Sequence, residues 1–198
     1  MISQIQFKRR QRGFTMIELV FVIVIIGILA AIGAKQFGIG IFGGAKGEAI
    51  YETTKKLSQN TVILAQTAGV STAVAGNPLP AAGKTLLDVL VGGSGNLAAA
   101  YANVMDTAGV TALSSAVQNN GGTYSISGYP FTFGGGAGGP TGPHSFVFTF
   151  PDSLTKQLVS KHGSGVQTLA ASDTTDPNIQ YSVVDASGNR TVTIFQPL

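Results

Sequence analysis

Residues 14–34 read FTMIELVFVIVIIGILAAIGA, 21 positions with a single charged side chain, Glu18. As a helix this run is about 31 Å long, the thickness of a bilayer's hydrocarbon core. It is apolar on every side, so no period marks a buried face. A helix of that kind sits in lipid or in a bundle of its own kind. Lys8, Arg9, Arg10 and Arg12 stand before it, and the first cation after it is Lys35. This bias predicts residues 1–13 in the cytoplasm and the remainder outside.

The rest of the composition follows from that segment. Of 198 residues, 44% are hydrophobic and 11% charged, with 27 glycines and no cysteine. Low charge with ample apolar content argues against global disorder, and the length suits one domain of ordinary size. Lack of cysteine excludes a disulfide scaffold, a thiolate metal site and a cysteine nucleophile. The formal charge of +3 is carried by the first thirteen residues; the other 185 hold 8 basic and 9 acidic groups. No nucleic-acid surface is implied for them.

Three readings of the apolar run compete. A secretory signal needs a basic start, an apolar stretch of about 7–15 residues and a small-x-small cut site, which Ala31-Ile32-Gly33 would supply. A single-pass anchor is the second. Both leave Glu18 unexplained, because an acid at the centre of a lipid-embedded helix costs about 2.5–3.5 kcal/mol on insertion scales. One turn inside the run the penalty is smaller, yet the carboxylate still calls for a partner.

The third reading is a resemblance. Gly13-Phe14-Thr15-Met16-Ile17-Glu18-Leu19-Val20, after the basic residues 8–12 and before the apolar run, resembles the class III leader of type IV pilins and pseudopilins, most like a type IVa major pilin. The likeness covers residues 8–34. It implies a peptidase cut between Gly13 and Phe14, N-methylation of Phe14, and a role for Glu18 in assembly. The new amine, with a free pKa of about 7.7–8.0, would meet Glu18 of a neighbouring subunit. Two groups that are each costly in an apolar bundle would then neutralise one another. Gly13 would allow close approach of the peptidase. Thr15 and Glu18 also have the spacing of a capping box, which is compatible with that role. Some features depart from the family. The leader has thirteen residues, no proline precedes Pro78, and no disulfide is available. Gly27, Gly33, Gly38, Gly40, Gly43, Gly44 and Gly47 would be the weak points of the helix instead.

Further on, Ile50, Thr54, Leu57, Thr61 and Leu64 share one helical face. A nearly continuous helix from Phe14 to about Gln66 is expected, some 80 Å long. Short helices are expected over 84–91, 96–105, 110–118 and 153–161, the last capped by Asp152 and stopped by Gly163. Alternating aromatic and polar residues predict strands over 124–127, 131–133, 145–150, 180–184 and 190–195, with a turn at 185–189 joining the last two. The glycine-rich 134–143 reads as an exposed loop. The fold class is therefore α+β. A long N-terminal helix with a protruding apolar half packs on a small antiparallel sheet, as the resemblance also implies.

The expected organisation is a cleaved leader 1–13, a membrane and filament-core helix 14–34, an amphipathic half 35–66, and a globular domain 67–198. That domain divides into a helical and loop region 67–122 and a sheet 123–198. No catalytic constellation is evident. Gly93-Ser94-Gly95-Asn96-Leu97-Ala98 fits a dinucleotide fingerprint only in form, since no acid follows at the needed distance. His144 and His162 read as a surface histidine or a helix C-terminal cap. Asp173, Asp176 and Asp185 are candidate calcium oxygens, with turn formation the preferred reading. Neither an enzyme nor a cofactor is expected. The expected partners are identical subunits, a prepilin peptidase, the pilus assembly machinery and, before assembly, the inner membrane; the destination is an extracellular filament. A pseudopilin of a type II secretion system and a secreted or membrane-anchored protein with an ordinary signal are the alternatives.

Overall fold

The apolar run and the amphipathic stretch after it are both helical, as α1 (Met16–Ala68), in the computed structural model. This structure describes residues 16–136, 143–163, 165 and 169–197, and only the backbone within 30–43. The chain divides into two units, residues 1–41 and 42–198.

In the second unit, all five residues expected on one face of α1, Ile50, Thr54, Leu57, Thr61 and Leu64, have no exposure. Burying an aliphatic side chain of this size contributes about 1.5–3 kcal/mol. The chain continues through α2 (Leu86–Gly92), α3 (Val104–Ala108), β1 (Gln118–Asn120), β2 (Thr123–Ile126), β3 (Tyr129–Gly135), β4 (His144–Pro151), α4 (Asp152–His162), β5 (Ile179–Tyr181) and β6 (Asn189–Gln196). The six strands form one antiparallel sheet in the order β1-β2-β3-β4-β6-β5, so the unit is α+β. Gly121 and Gly122, and then Ser127 and Gly128, have positive φ in the two-residue turns between the first three strands. Their left-handed pairs match the twist of tight hairpins.

Strand β4 alternates: His144, Phe146, Phe148 and Phe150 are buried. Opposite them β6 buries Gln196, Ile194, Val192 and Arg190, each in direct register. Two apolar pairs thus lie between two pairs with a polar member. The aromatic row is tightened by stacking of Phe133 on Phe146 at 4.7 Å and of Phe148 on Phe150 at 4.8 Å.

The expected strands are present, the one at 180–184 being shorter, and α4 stops at Gly163 as expected. Other expectations are corrected. The N-cap of α4 is Pro151, and Asp152 lies in the first turn, where its carboxylate takes Arg190 Nε at 2.6 Å and Lys156 Nζ at 2.8 Å. The helix over 96–105 is replaced by single 3₁₀ turns and the five-residue α3. Tertiary pairing is the cause: Asn96 and Leu79 carbonyls accept from Ala81 and Ala98, outside any helical pattern. The helix over 110–118 is absent too. Leu113 N–H is drawn to the Leu90 carbonyl, and Gln118 begins β1, an exposed polar strand with no apolar alternation to announce it. A parallel strand-helix-strand unit, which a dinucleotide loop requires, is incompatible with this antiparallel sheet.

Candidate functional site

Within the first unit, the described side chains of α1 from Met16 to Leu29 are all exposed. They include Met16 (90%), Ile17 (65%), Phe21 (62%) and Leu29 (62%). In a soluble surface helix, one face would be withdrawn from water. None is here, so this segment presents apolar surface all round. Glu18 lies in its first turn and is exposed. A negative charge there complements the partial positive charge of the helix N-terminus. Gly13, Phe14 and Thr15 lie outside the described residues. Among the described residues no helix is long and apolar enough to cross a membrane. The described side chains of this segment end at Leu29, about 21 Å of helix, whereas the 21-residue reading draws on positions to either side.

The second half of α1 has the opposite character. Its buried face carries polar groups among the aliphatics, and each finds a partner. Ser58 Oγ lies 2.7 Å from His144 Nδ1, and His144 Nε2 lies 3.0 Å from the Thr72 carbonyl oxygen. A carbonyl only accepts, so Nε2 carries the proton and Nδ1 accepts from the Ser58 hydroxyl. Gln196 Nε2 donates to Thr54 Oγ1 at 3.1 Å, and Thr61 Oγ1 donates back to the Leu57 carbonyl at 2.9 Å. His144 has no exposure, which corrects the reading of it as a surface residue or a helix cap. Burial holds its pKa below the ordinary imidazole value, against the Thr72 carbonyl, which favours the charged form.

His162 does stand in the last turn of α4. It stacks on Tyr51 with ring centroids 3.7 Å apart and bonds Glu48 Oε2 at 3.0 Å, where Lys161 Nζ also arrives at 2.5 Å. The bonds from Lys161 and then His162 hold the Glu48 carboxyl below its usual range. On β6, opposite Phe150, buried Arg190 donates through Nη1 to the carbonyls of Ala171 and Ser182, at 2.6 and 2.8 Å, besides its bond to Asp152. Lys156 first, and Arg190 second, lower the Asp152 pKa. The three candidate calcium aspartates are each engaged by nearby backbone: Asp173 with Thr175 and Asp176 N–H, Asp176 with Asn178 and Ile179, Asp185 with Ser187 and Asn189. These are the bonds of Asx turns. Among the described residues, no three His, Asp or Glu side chains group as a metal site.

The structure therefore separates the sequence-predicted residues into two settings. Glu18 belongs to an exposed apolar helix, while the histidines and aspartates lock the globular unit. Sequence reasoning missed Ser58, Thr54, Gln196 and Arg190 as structural partners. Their signal was position: Thr54 falls on the apolar face with Ser58 one turn on, and Arg190 and Gln196 share the parity of Val192 and Ile194.

A family model described as the prokaryotic N-terminal methylation motif matches residues 8–34. No curated protein and no solved structure matches the chain.

Proposed function

We propose that this chain, whose methylation motif supports a type IV pilin-like or pseudopilin protein processed by a prepilin peptidase, is a structural subunit of an extracellular type IV pilus. The peptidase cuts between Gly13 and Phe14, and Phe14 becomes the N-methylated first residue. The apolar helix first anchors the subunit in the inner membrane and then packs the fibre core. Moving from lipid to a helix bundle changes little hydrophobic energy, so packing and polar contacts must supply specificity. The Phe14 amine of one subunit meets Glu18 of the next and sets their register, with Thr15 at the same helix start. Each ion alone is costly in a dry bundle, and together they offset that cost only when well placed.

The observation that carries this reading is the leader motif running into a helix whose described side chains, Met16 to Leu29, are all exposed. A helix of this kind needs a partner outside its own domain. The glycine- and alanine-rich domain favours the pilus over a secretion pseudopilus. Electron microscopy of sheared surface fibres, with peptide identification, tests the assignment. Fibres composed mainly of this chain support it; fibres lacking it, with the chain retained at the secretion apparatus, identify a pseudopilin instead.

A further inference from the structure

The globular unit contains a cleft of about 610 Å³ that the assembly reading leaves unused. Its volume lies within the range of about 300–1,000 Å³ for small-molecule sites. The walls are mainly apolar: Val74, Pro80, Leu87, Phe131 and Phe133 line it. The two phenylalanines are fixed by their cross-strand partners on β4, Phe133 by Phe146 and Phe131 by Phe148, with centroids 4.7 and 5.3 Å apart. A floor held in this way loses little freedom when a ligand lands on it.

Charge in the cleft has one sign. Lys84 is the single charged side chain among its lining residues. It is exposed and makes no ion pair among the described residues. The nearby acid, Asp88, is held in its charged form by Tyr124 and then Thr85, with Lys84 contributing least. Its Oδ2 accepts from Thr85 N–H at 2.7 Å and Thr85 Oγ1 at 2.8 Å, and its Oδ1 accepts from the Tyr124 hydroxyl at 2.5 Å. The Lys84 ammonium, which makes no ion pair among the described residues and acts on Asp88 only through space, thus stands beside an apolar trough.

We propose that this cleft binds an amphipathic monocarboxylate, a medium-chain fatty acid or a molecule of that form. The hydrocarbon body lies over Phe131 and Phe133, and the carboxylate pairs with Lys84. One cation suits one negative charge; a dianion would leave charge uncompensated on an apolar wall.

Photolabelling of the full chain in lipid nanodiscs tests this, with a diazirine-bearing decanoate analogue, the matching decanol analogue, and peptide mapping. The decanoate probe should label residues 74–87 and 122–133. Unlabelled decanoate should displace it and acetate should not. Lys84→Gln should weaken decanoate labelling there about tenfold, the loss of one charge-assisted contact, and leave decanol labelling unchanged. Phe133→Asp should abolish both. Labelling confined to residues 14–34, displacement by acetate as effective as by decanoate, or equal decanoate labelling of the Lys84→Gln variant overturns the proposal.

Discussion

The two halves of α1 share one secondary structure and differ in where their bonds are made. Residues 44–68 alternate aliphatic and hydroxyl side chains on a buried face, and the hydroxyls end on His144, Gln196 or their own helix. Residues 16–29 carry apolar groups in every direction and keep them exposed. Helix propensity does not distinguish these halves, because tertiary burial, rather than propensity, supplies most helix stability in proteins. The polar residues draw the distinction. In the second half they meet partners within the domain. In the first half, the proposed partner of the acid at position 18 is a cation on another molecule.

The comparison is broken most strongly by changing one half and watching the other. Glu18→Leu should leave cutting and membrane insertion intact and reduce surface fibres by more than about tenfold, the size expected when one side of a desolvated ion pair is lost. The melting temperature of the globular domain should not move. Quantifying sheared fibres beside the membrane-held pool checks this; wild-type fibre abundance would remove Glu18 from assembly.

His144→Ala tests the opposite half. It deletes a fully buried ring and strands the Ser58 hydroxyl, so the domain should lose about 2–4 kcal/mol by denaturant melt. Cutting after Gly13 should be unchanged. Acid should act through the same residue. The native His144 pKa is held below the unfolded value of about 6.5, so the unfolded chain takes up the proton first. Stability from this group is full above about pH 6.5 and declines as pH falls from there toward the lower native value. The wild type should therefore weaken as the pH falls below about 6.5, measured by urea midpoints, and His144→Phe should show a flatter profile there. Parallel profiles would show that the imidazole is not the titrating group.

The smallest effect is expected at the surface end of the same interface. Glu48→Gln removes the charge shared by Lys161 and His162, but Glu48 is partly exposed and solvent screens the pair. A loss of about 0.5 kcal/mol is expected, seen as a small shift in urea midpoint that shrinks in high salt.

Much of this division was legible in the sequence. The 3.6 period over Ile50, Thr54, Leu57, Thr61 and Leu64 marked the buried face, and the unbroken apolar run around Glu18 marked the other half. Alternating aromatics located β3 and β4, and the turn residues at 185–189 located the β5–β6 connection. The region 96–118 was not legible, because its backbone bonds go to Leu79, Ala81 and Leu90, long-range choices that override local propensity. His144 was misread for a different reason. Beside a glycine-rich loop it looked exposed, yet it keeps the parity of Phe146, Phe148 and Phe150, and that alternation carries it inward. Asp152 was misread because its partner, Arg190, lies 38 residues away.

The measurement that bears most directly on the proposed assembly is the amino terminus of the mature protein, read by Edman degradation and intact mass. The expected product begins at Phe14, lacks residues 1–13 and carries one added methyl group on its terminal nitrogen. A mature chain beginning at Ala34, the product of an ordinary signal cut after Gly33, would discard Glu18 with the leader and contradict that mechanism.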